Sequence, residues 1–335
     1  GTCIDARICR QRCRISDSTH LLSVLNLGEQ YLTGVFPRQT TQAVTKGPLE
    51  LVWCPDSGLL QLKHSYDLAE MYGDNYGYRS GLNGSMVEHL LGKVRGLERR
   101  YALASRDIVL DIGSNDGTLL GAYRTPAIIR IGMDPTAAKF KDFYPPDVSS
   151  ISDFFTARRF LDATNGRRAR IITSIAMFYD LADPNAFVRD IAAALADDGI
   201  WHFEQSYMPS MLRTNAYDTV CHEHIEYYSL KQIAWMCDRV GLRITDVEFN
   251  DVNGGSFAVT VEKANPSSGQ LPEVARLLAE EEQKGFSTLL PFAKFSDDVF
   301  RHRTELTACL TQLRAEGRRV FGLGASTKGN VILQF

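Results

Sequence analysis

Between residues 81 and 263 seven β-type runs follow one another, and no other feature restricts the fold as much. They read "DIVLDIG", "AIIRIGMD", "DVSSI", "ARIITSIAM", "GIWHFEQ", "LRITDVEF" and "GSFAVTVEK", and amphipathic stretches such as "PNAFVRDIAAALADD" lie between them. Period-2 or continuous apolar runs alternating with helical periodicity specify an α/β domain: an open, mostly parallel sheet covered by helices on both faces. The chain around this block divides into residues 1–80, rich in turns and cysteines, and residues 264–335, which begin after "ANPSSGQLPE". The latter carries two long helical patterns, "EVARLLAEEEQKGFSTLL" and "DDVFRHRTELTACLTQLRAEG", and a last strand signal, "RRVFGLGAS", that opens a further βα unit.

Composition removes several classes of function. A chain of 335 residues with 44% hydrophobic content can bury one large core and smaller satellites. Thirty-seven basic against 40 acidic side chains, net −3, leave no basic stripe for nucleic acid. No run approaches the roughly 18 apolar residues of a membrane span, and "GTCIDARICRQRCR" lacks the apolar segment of a signal peptide, so a cytoplasmic protein is expected. Seven cysteines, an odd number scattered through the chain, point to reduced thiols.

The strongest chemical signal is "VLDIGSNDGTLL". An apolar strand ends in Asp111, Gly113 begins a tight turn, Asn115 and Asp116 occupy it, and Gly117 lets the next segment start close against the strand. The dinucleotide pattern G-x-G-x-x-G lacks its middle glycine here, which favours a ligand without pyrophosphate. The stretch resembles motif I of class I S-adenosylmethionine-dependent methyltransferases, and the resemblance implies that Asp111 fixes the amino acid moiety of the cofactor. About twenty residues on, "IGMDPT" places Asp134 to bind the ribose hydroxyls. "ISDFF" resembles the family's adenine contact, implying Asp153 on the exocyclic amine and Phe154 on the ring. Ser174, at the end of the fourth strand, completes the expected cofactor set. The bland alternative is that these aspartates only cap turns and helices.

"VCHEHIEYYSL", residues 220–230, follows the fifth strand and so lies beyond the same sheet edge. A helix would make His222 and His224 diverge; an extended chain would put them on one face and Cys221, Glu223 and Ile225 on the other. Zinc needs three or four converging ligands, which neither conformation supplies locally. Capping of the helix expected near Ser229 explains the serine but not two imidazoles beside Glu223. Histidine next to a carboxylate is the make-up of a proton-transfer site.

Five ordered blocks, "LNLGEQYLTGVFP", "MYGDNYGYRSGLNGSMVEHL", "YDTVCHEHIEYYSL", "VNGGSFAVTVEK" and "GLGASTKGN", resemble bacterial nucleotide-sugar C-methyltransferases from about Cys13 onward. The resemblance implies an N-terminal zinc-binding-type domain, a class I methyltransferase core and a C-terminal α/β domain. It also implies methylation of a carbon beside the ketone of a nucleotide-linked 4-keto-6-deoxy sugar. Glu223 and His224 match the family's Glu-His pair. The family's tyrosine base position is Cys221, whose thiol His222 or His224 could activate, and His224, Tyr76 and Tyr78 are equally open as the base. Tyr76, Tyr78 and Arg79 resemble a substrate-facing strip. Asn253, Gly254 and Gly255 are candidate substrate contacts, with a bulge in the last hairpin as the alternative for the glycines. Tyr227 and Tyr228 are assigned to packing.

The ends depart from the pattern. Relatives carry two C-x-x-C pairs, but here Cys13 is followed by Ser16 and Cys54 by Ser57. Hydroxyls are poor zinc ligands, so a metal-free domain is favoured, with Cys13 and Cys54, joined by Cys3 and Cys9, as the only thiol donors that could hold zinc. Gly322, Gly324, Ser326 and Lys328 resemble the start of a phosphate site in the family's C-terminal domain, which in relatives continues for several further strands. The expected partners are S-adenosylmethionine and a ketosugar nucleotide, with a monomer or homodimer as the assembly. O- or N-methylation of a small metabolite, or a catalytically inactive binding protein, are the competing readings.

Overall fold

The computed structural model describes residues 8–35, 37–72, 76–265, 267, 269–322 and 326–335. After the two-residue strand Ile8–Cys9, which pairs with His64–Ser65, strands Leu22–Tyr31 (β1), Lys46–Trp53 (β2) and Leu60–Leu62 (β3) form an antiparallel meander. The fourth strand of that sheet is the two-residue strand Glu226–Tyr227, from far along the chain, with Glu226 opposite Gln61. Leu25, Leu27, Leu49 and Leu51 bury one face of the sheet in a cluster shared with Phe292 and Phe295. The N-terminal segment is therefore sewn to the later parts of the chain by both pairing and apolar contact.

Helix Gly84–Arg100 (α1) starts where Asn83 Oδ1 accepts the amides of Ser85 and Met86, and it buries Leu90, Val94 and Leu97 at helical spacing. The strands that follow are Ile108–Ile112 (β4), Ile129–Met133 (β5) and Val148–Ile151 (β6). After helix Ala157–Ala163 (α2) come Ala169–Ile175 (β7), helix Pro184–Ala194 (α3) and Leu195–Ser206 (β8). Helices Met208–Thr214 (α4) and Leu230–Asp238 (α5) precede Leu242–Asn250 (β9) and Ser256–Lys263 (β10). All seven sequence-predicted runs are strands of one sheet, in the order β9-β10-β8-β7-β4-β5-β6. β6, β5, β4, β7 and β8 are parallel, while β10 runs antiparallel to both β8 and β9. Every residue of β4 is buried, as expected for a central parallel strand covered on both faces.

One face packs on Phe178, Phe187, Trp201 and Phe203, the other on α1 through Val94, Val109 and Ile171. Strand order reverses between β4 and β7, which opens a crevice at the carboxyl edge of the sheet. Beyond β10 lie helices Pro272–Gln283 (α6), Leu290–Ala315 (α7) and Thr327–Gln334 (α8). The strand expected at "RRVF" does not form: residues 318–322 are irregular, with Val320 55% and Phe321 81% exposed. Apolar character favours a strand only where a neighbouring strand pairs with it, and among the described residues none does.

Candidate functional site

The parallel strands end around a cavity of about 600 Å³. Asp111, next to last in β4, is buried in its wall, and Thr173 of β7 donates to its Oδ1 at 2.6 Å. Burial pushes this carboxyl up to about 7; the Thr173 hydrogen bond opposes the shift and nearby Asp134 adds to it. Gly113 turns the chain with φ 73°, and a Cβ there would meet Met177 Cγ at 3.1 Å. The same turn carries Asn115 at φ 50°, whose backbone amide donates to Asp134 Oδ2 at 2.8 Å. Asp134 Oδ1 accepts from the amide and hydroxyl of Thr136, each at 2.6 Å. Phe154 adds a partly exposed ring to the wall.

The other end of the cavity is built from residues 221–224. His224 N donates to Cys221 O at 3.2 Å, so the stretch is a tight turn, neither helical nor extended. The turn sends Cys221, Glu223 and His224 to the cavity. His224 Nδ1 donates to the Thr219 carbonyl at 2.9 Å, which leaves Nε2 as the ring's acceptor. Burial, reinforced by the charge of Lys328 and only partly opposed by the Thr219 contact, lowers the imidazole to about 4. The Tyr179 ring packs edge-on against it, 4.4 Å between centroids. Burial, with Glu223 alongside, holds the Cys221 thiol well above its ordinary value. Burial also raises Glu223, against hydrogen bonds from its own segment, Cys221, Thr33 and Gly34. Tyr76 and Tyr78 line the cavity too, and burial raises both phenols.

A methyltransferase domain family matches residues 86–247, a C-methyltransferase C-terminal domain matches 251–335, and a domain family described as zinc binding matches 13–72. C-methyltransferase NovU of Streptomyces niveus is 30% identical over 324 residues, which are 96% of this chain and 77% of NovU. The chain belongs to the C-methyltransferase family. Among solved structures, PigF with SAH is similar at 14% identity and a TM-score of 0.38, covering 53% of this chain and 64% of PigF. An O-methyltransferase family protein from Burkholderia thailandensis is similar at 16% identity and a TM-score of 0.41, covering 55% of this chain and 59% of its own.

S-adenosylmethionine is the cofactor of this methyltransferase core. The donor set of this C-methyltransferase fits it: a buried carboxyl for the amino acid end, an acid hydrogen-bonded by the glycine turn for a ribose, and an aromatic wall.

Several residues expected at the site are elsewhere. Asp116 does not line the cavity; its oxygens take Gly81 N at 2.8 Å and the amide and hydroxyl of Thr118, and it pairs with Arg79. Arg79 therefore does not line the cavity and lies 3.9 Å over the Phe143 ring. Gly117, φ 77°, makes room for Tyr144, whose hydroxyl donates to Asn115 O. Ser174 points to the opposite face from Thr173, as alternation along β7 requires, and accepts Trp201 Nε1 at 2.9 Å. Asp153 pairs with Arg159 at 2.9 Å, leaving Phe154 and Phe155 of that motif at the cavity.

His222 is buried away from the cavity, edge-on to Tyr66 at 4.8 Å, because the tight turn throws neighbouring side chains to opposite sides. Gly254 and Gly255 form the hairpin turn with φ 84° and 119°, and only Asn253 lines the cavity. Tyr227 and Tyr228 are buried packing residues, and Ser229 with Gln232 makes the capping box of α5. Lys328 and Ser326 reach the cavity from α8, Gly322 lies in the irregular segment before it, and Gly324 and Cys3 lie outside the described residues. Cys9 is exposed, while Cys13 and Cys54 are buried.

Three contributors were not singled out as site residues, although Thr33 and Gly34 lie within the block "LNLGEQYLTGVFP". Asp180 follows β7 in "MFYD" and lines the cavity; its Oδ1 is buried and unpartnered, and its Oδ2 accepts the Tyr72 hydroxyl at 3.1 Å. Burial raises it well above the carboxylate range; Tyr72 opposes the shift and Glu223 adds to it. Thr33 and Gly34 approach Glu223 from the N-terminal module: a Cβ on Gly34 would stand 1.6 Å from Glu223 Oε1. The position of an acid just past a parallel strand was the one available cue for Asp180.

Proposed function

We propose that this C-methyltransferase methylates a carbon adjacent to the ketone of a nucleotide-linked 4-keto-6-deoxy sugar. The observation that carries the reading is His224: its Nδ1 proton is committed to Thr219 O, which leaves Nε2 as the acceptor, and the residue lines the cavity that also holds Asp111 and Asp134. When bound, S-adenosylmethionine supplies an electrophilic methyl group. Asp111 and Asp134 would hold its amino acid and ribose ends.

Among the candidate bases His224 is favoured. The Cys221 thiol and the Tyr76 and Tyr78 phenols stay protonated near neutrality, and His222 is remote. Neutral His224 takes the proton from the carbon beside the ketone. A lowered pKa keeps it neutral but makes it a weak base, so the oxygen that gains charge needs a donor. Asp180, whose carboxyl burial shifts toward the protonated form, supplies that donor from the same cavity. Glu223, held by Cys221 and by Thr33, anchors the turn that presents His224. Lys328, at the cavity wall, offers a cation to the nucleotide phosphates.

The test is incubation with methyl-tritiated cofactor and a panel of ketosugar nucleotides, followed by NMR of the product. Label on a ring carbon next to the ketone is expected; label on an oxygen or nitrogen contradicts the reading. His224→Asn should bind cofactor as the wild type does and lose about 10²- to 10⁴-fold in turnover.

A further inference from the structure

Two turns of the N-terminal module have the same backbone. In the first, Cys13 N donates to Ser18 O at 2.8 Å, Asp17 N donates to Cys13 O at 3.1 Å, and Asp17 has φ 59°. In the second, Cys54 N donates to Leu59 O at 2.9 Å, Gly58 N donates to Cys54 O at 2.7 Å, and Gly58 has φ 75°. Each turn thus runs from a cysteine, through a serine three residues on, to a left-handed residue at the fourth place. The turns face each other and exchange contacts crosswise: Cys13 Sγ to Ser57 Oγ at 3.3 Å, and Ser16 Oγ to Cys54 Sγ at 3.7 Å. Two thiols and two hydroxyls therefore converge where paired turns of this shape would otherwise grip one ion.

The donor chemistry does not fit zinc. A neutral hydroxyl is a weak ligand beside thiolate, and a stable tetrahedral site asks for four N or S donors. Both hydroxyls are also in use: Ser57 Oγ accepts Leu59 N at 3.1 Å and Ser16 Oγ accepts Ser18 N at 3.4 Å. Among the described residues no group of three or more His, Cys, Asp or Glu side chains is placed to hold a metal ion.

We propose that this corner is a metal-independent clasp, in which two crosswise thiol–hydroxyl hydrogen bonds replace the ion that the turn geometry would accommodate. The clasp has a structural task. Arg14, inside the first turn, donates its amide to Gln61 Oε1 and its guanidinium to Leu62 O and Ser65 Oγ, and lies 3.7 Å from Glu226, two residues after His224. Both members of that ion pair are buried. The clasp fixes the turn that carries Arg14 to the strand leading out of the candidate active site.

The test compares the full chain with its Ser16→Cys/Ser57→Cys variant. Each protein, purified without chelator and then offered equimolar Zn²⁺, is assayed for bound metal by mass spectrometry. Each is also titrated with Co²⁺ and followed in the visible absorption of tetrahedral thiolate-bound cobalt. The wild type is expected to retain far less than one zinc per chain, to give no such absorption, and to keep its Tm with EDTA. The double variant is expected to take up one ion per chain, to show the cobalt absorption, and to lose Tm when chelated. One zinc per wild-type chain, removed by EDTA together with thermal stability, would overturn the proposal. A folded double variant that binds no metal would refute the convergence of the four side chains. If that variant does not fold, the wild-type metal content and EDTA response decide alone.

Discussion

Asp180 and Asp111 are acids whose surroundings set different tasks. If protonated Asp180 serves as a donor to the developing oxyanion, Asp180→Asn, which keeps an N–H, should lose little, whereas Asp180→Leu should lower kcat by about 10²- to 10³-fold. Steady-state kinetics with cofactor affinity measured in parallel separates this from a binding defect; equal losses in both variants would rule out the donor role. Asp111 sits near 7 because it is buried, so in the free protein it is partly protonated at neutral pH. If Asp111 pairs with the cofactor's ammonium, as proposed, its pKa falls, so cofactor binding should release a proton and strengthen as pH rises through about 7. Calorimetry in two buffers of different ionisation enthalpy reads that proton, and Asp111→Asn should abolish it. The sequence showed Asp111, Asp134 and the Glu223-His224 pair because each is tied to a strand end or a recognisable block. It did not show Asp180, whose significance is its burial, a property of what surrounds a residue.

At the scale of elements, side-chain direction decided most of the departures from expectation. Thr173 and Ser174 are neighbours on β7, yet one hydroxyl reaches Asp111 and the other Trp201. His222 and His224 part company because the chain between Cys221 and His224 is a turn. Such choices depend on backbone dihedrals fixed by neighbouring elements, which no short stretch encodes. The turn is held from outside by Thr33 and by Gly34, whose missing Cβ leaves room for the Glu223 carboxylate. Gly34→Ala must displace that carboxylate, and a shift of about 1 Å in the presented His224 should cost about 100-fold in turnover. Cofactor affinity, measured by titration, should be unchanged; a loss of affinity instead would mean that the two ends of the cavity are not independent.

For the whole molecule, buried titratable groups set opposing slopes of stability with pH. His222 falls from an ordinary 6.5 to about 4 through burial. Between those values the unfolded chain binds a proton there and the folded chain does not, so stability is lost as pH drops from about 6.5 to about 4. Asp111 works the other way: its folded value of about 7 exceeds its ordinary 3.8, so stability is lost as pH rises across that window. His222→Phe, remote from the cavity, removes only the first contribution. Its Tm should therefore fall less than the wild type's between pH 7 and pH 4.5, as differential scanning fluorimetry would show; parallel curves would mean that His222 is protonated in the folded state. The sequence by itself determined the seven-stranded sheet, its layered α/β class and the edge at which chemistry is placed, because hydrophobic periodicity and glycine turns are local signals. Only the tertiary structure decided that Glu226–Tyr227 completes the N-terminal sheet, that Gly34 stands against Glu223, that Asp180 shares a cavity with His224, and that two cysteine–serine turns close on each other. Each of those rests on contacts between segments distant along the chain, and burial and pairing exist only once those segments have met.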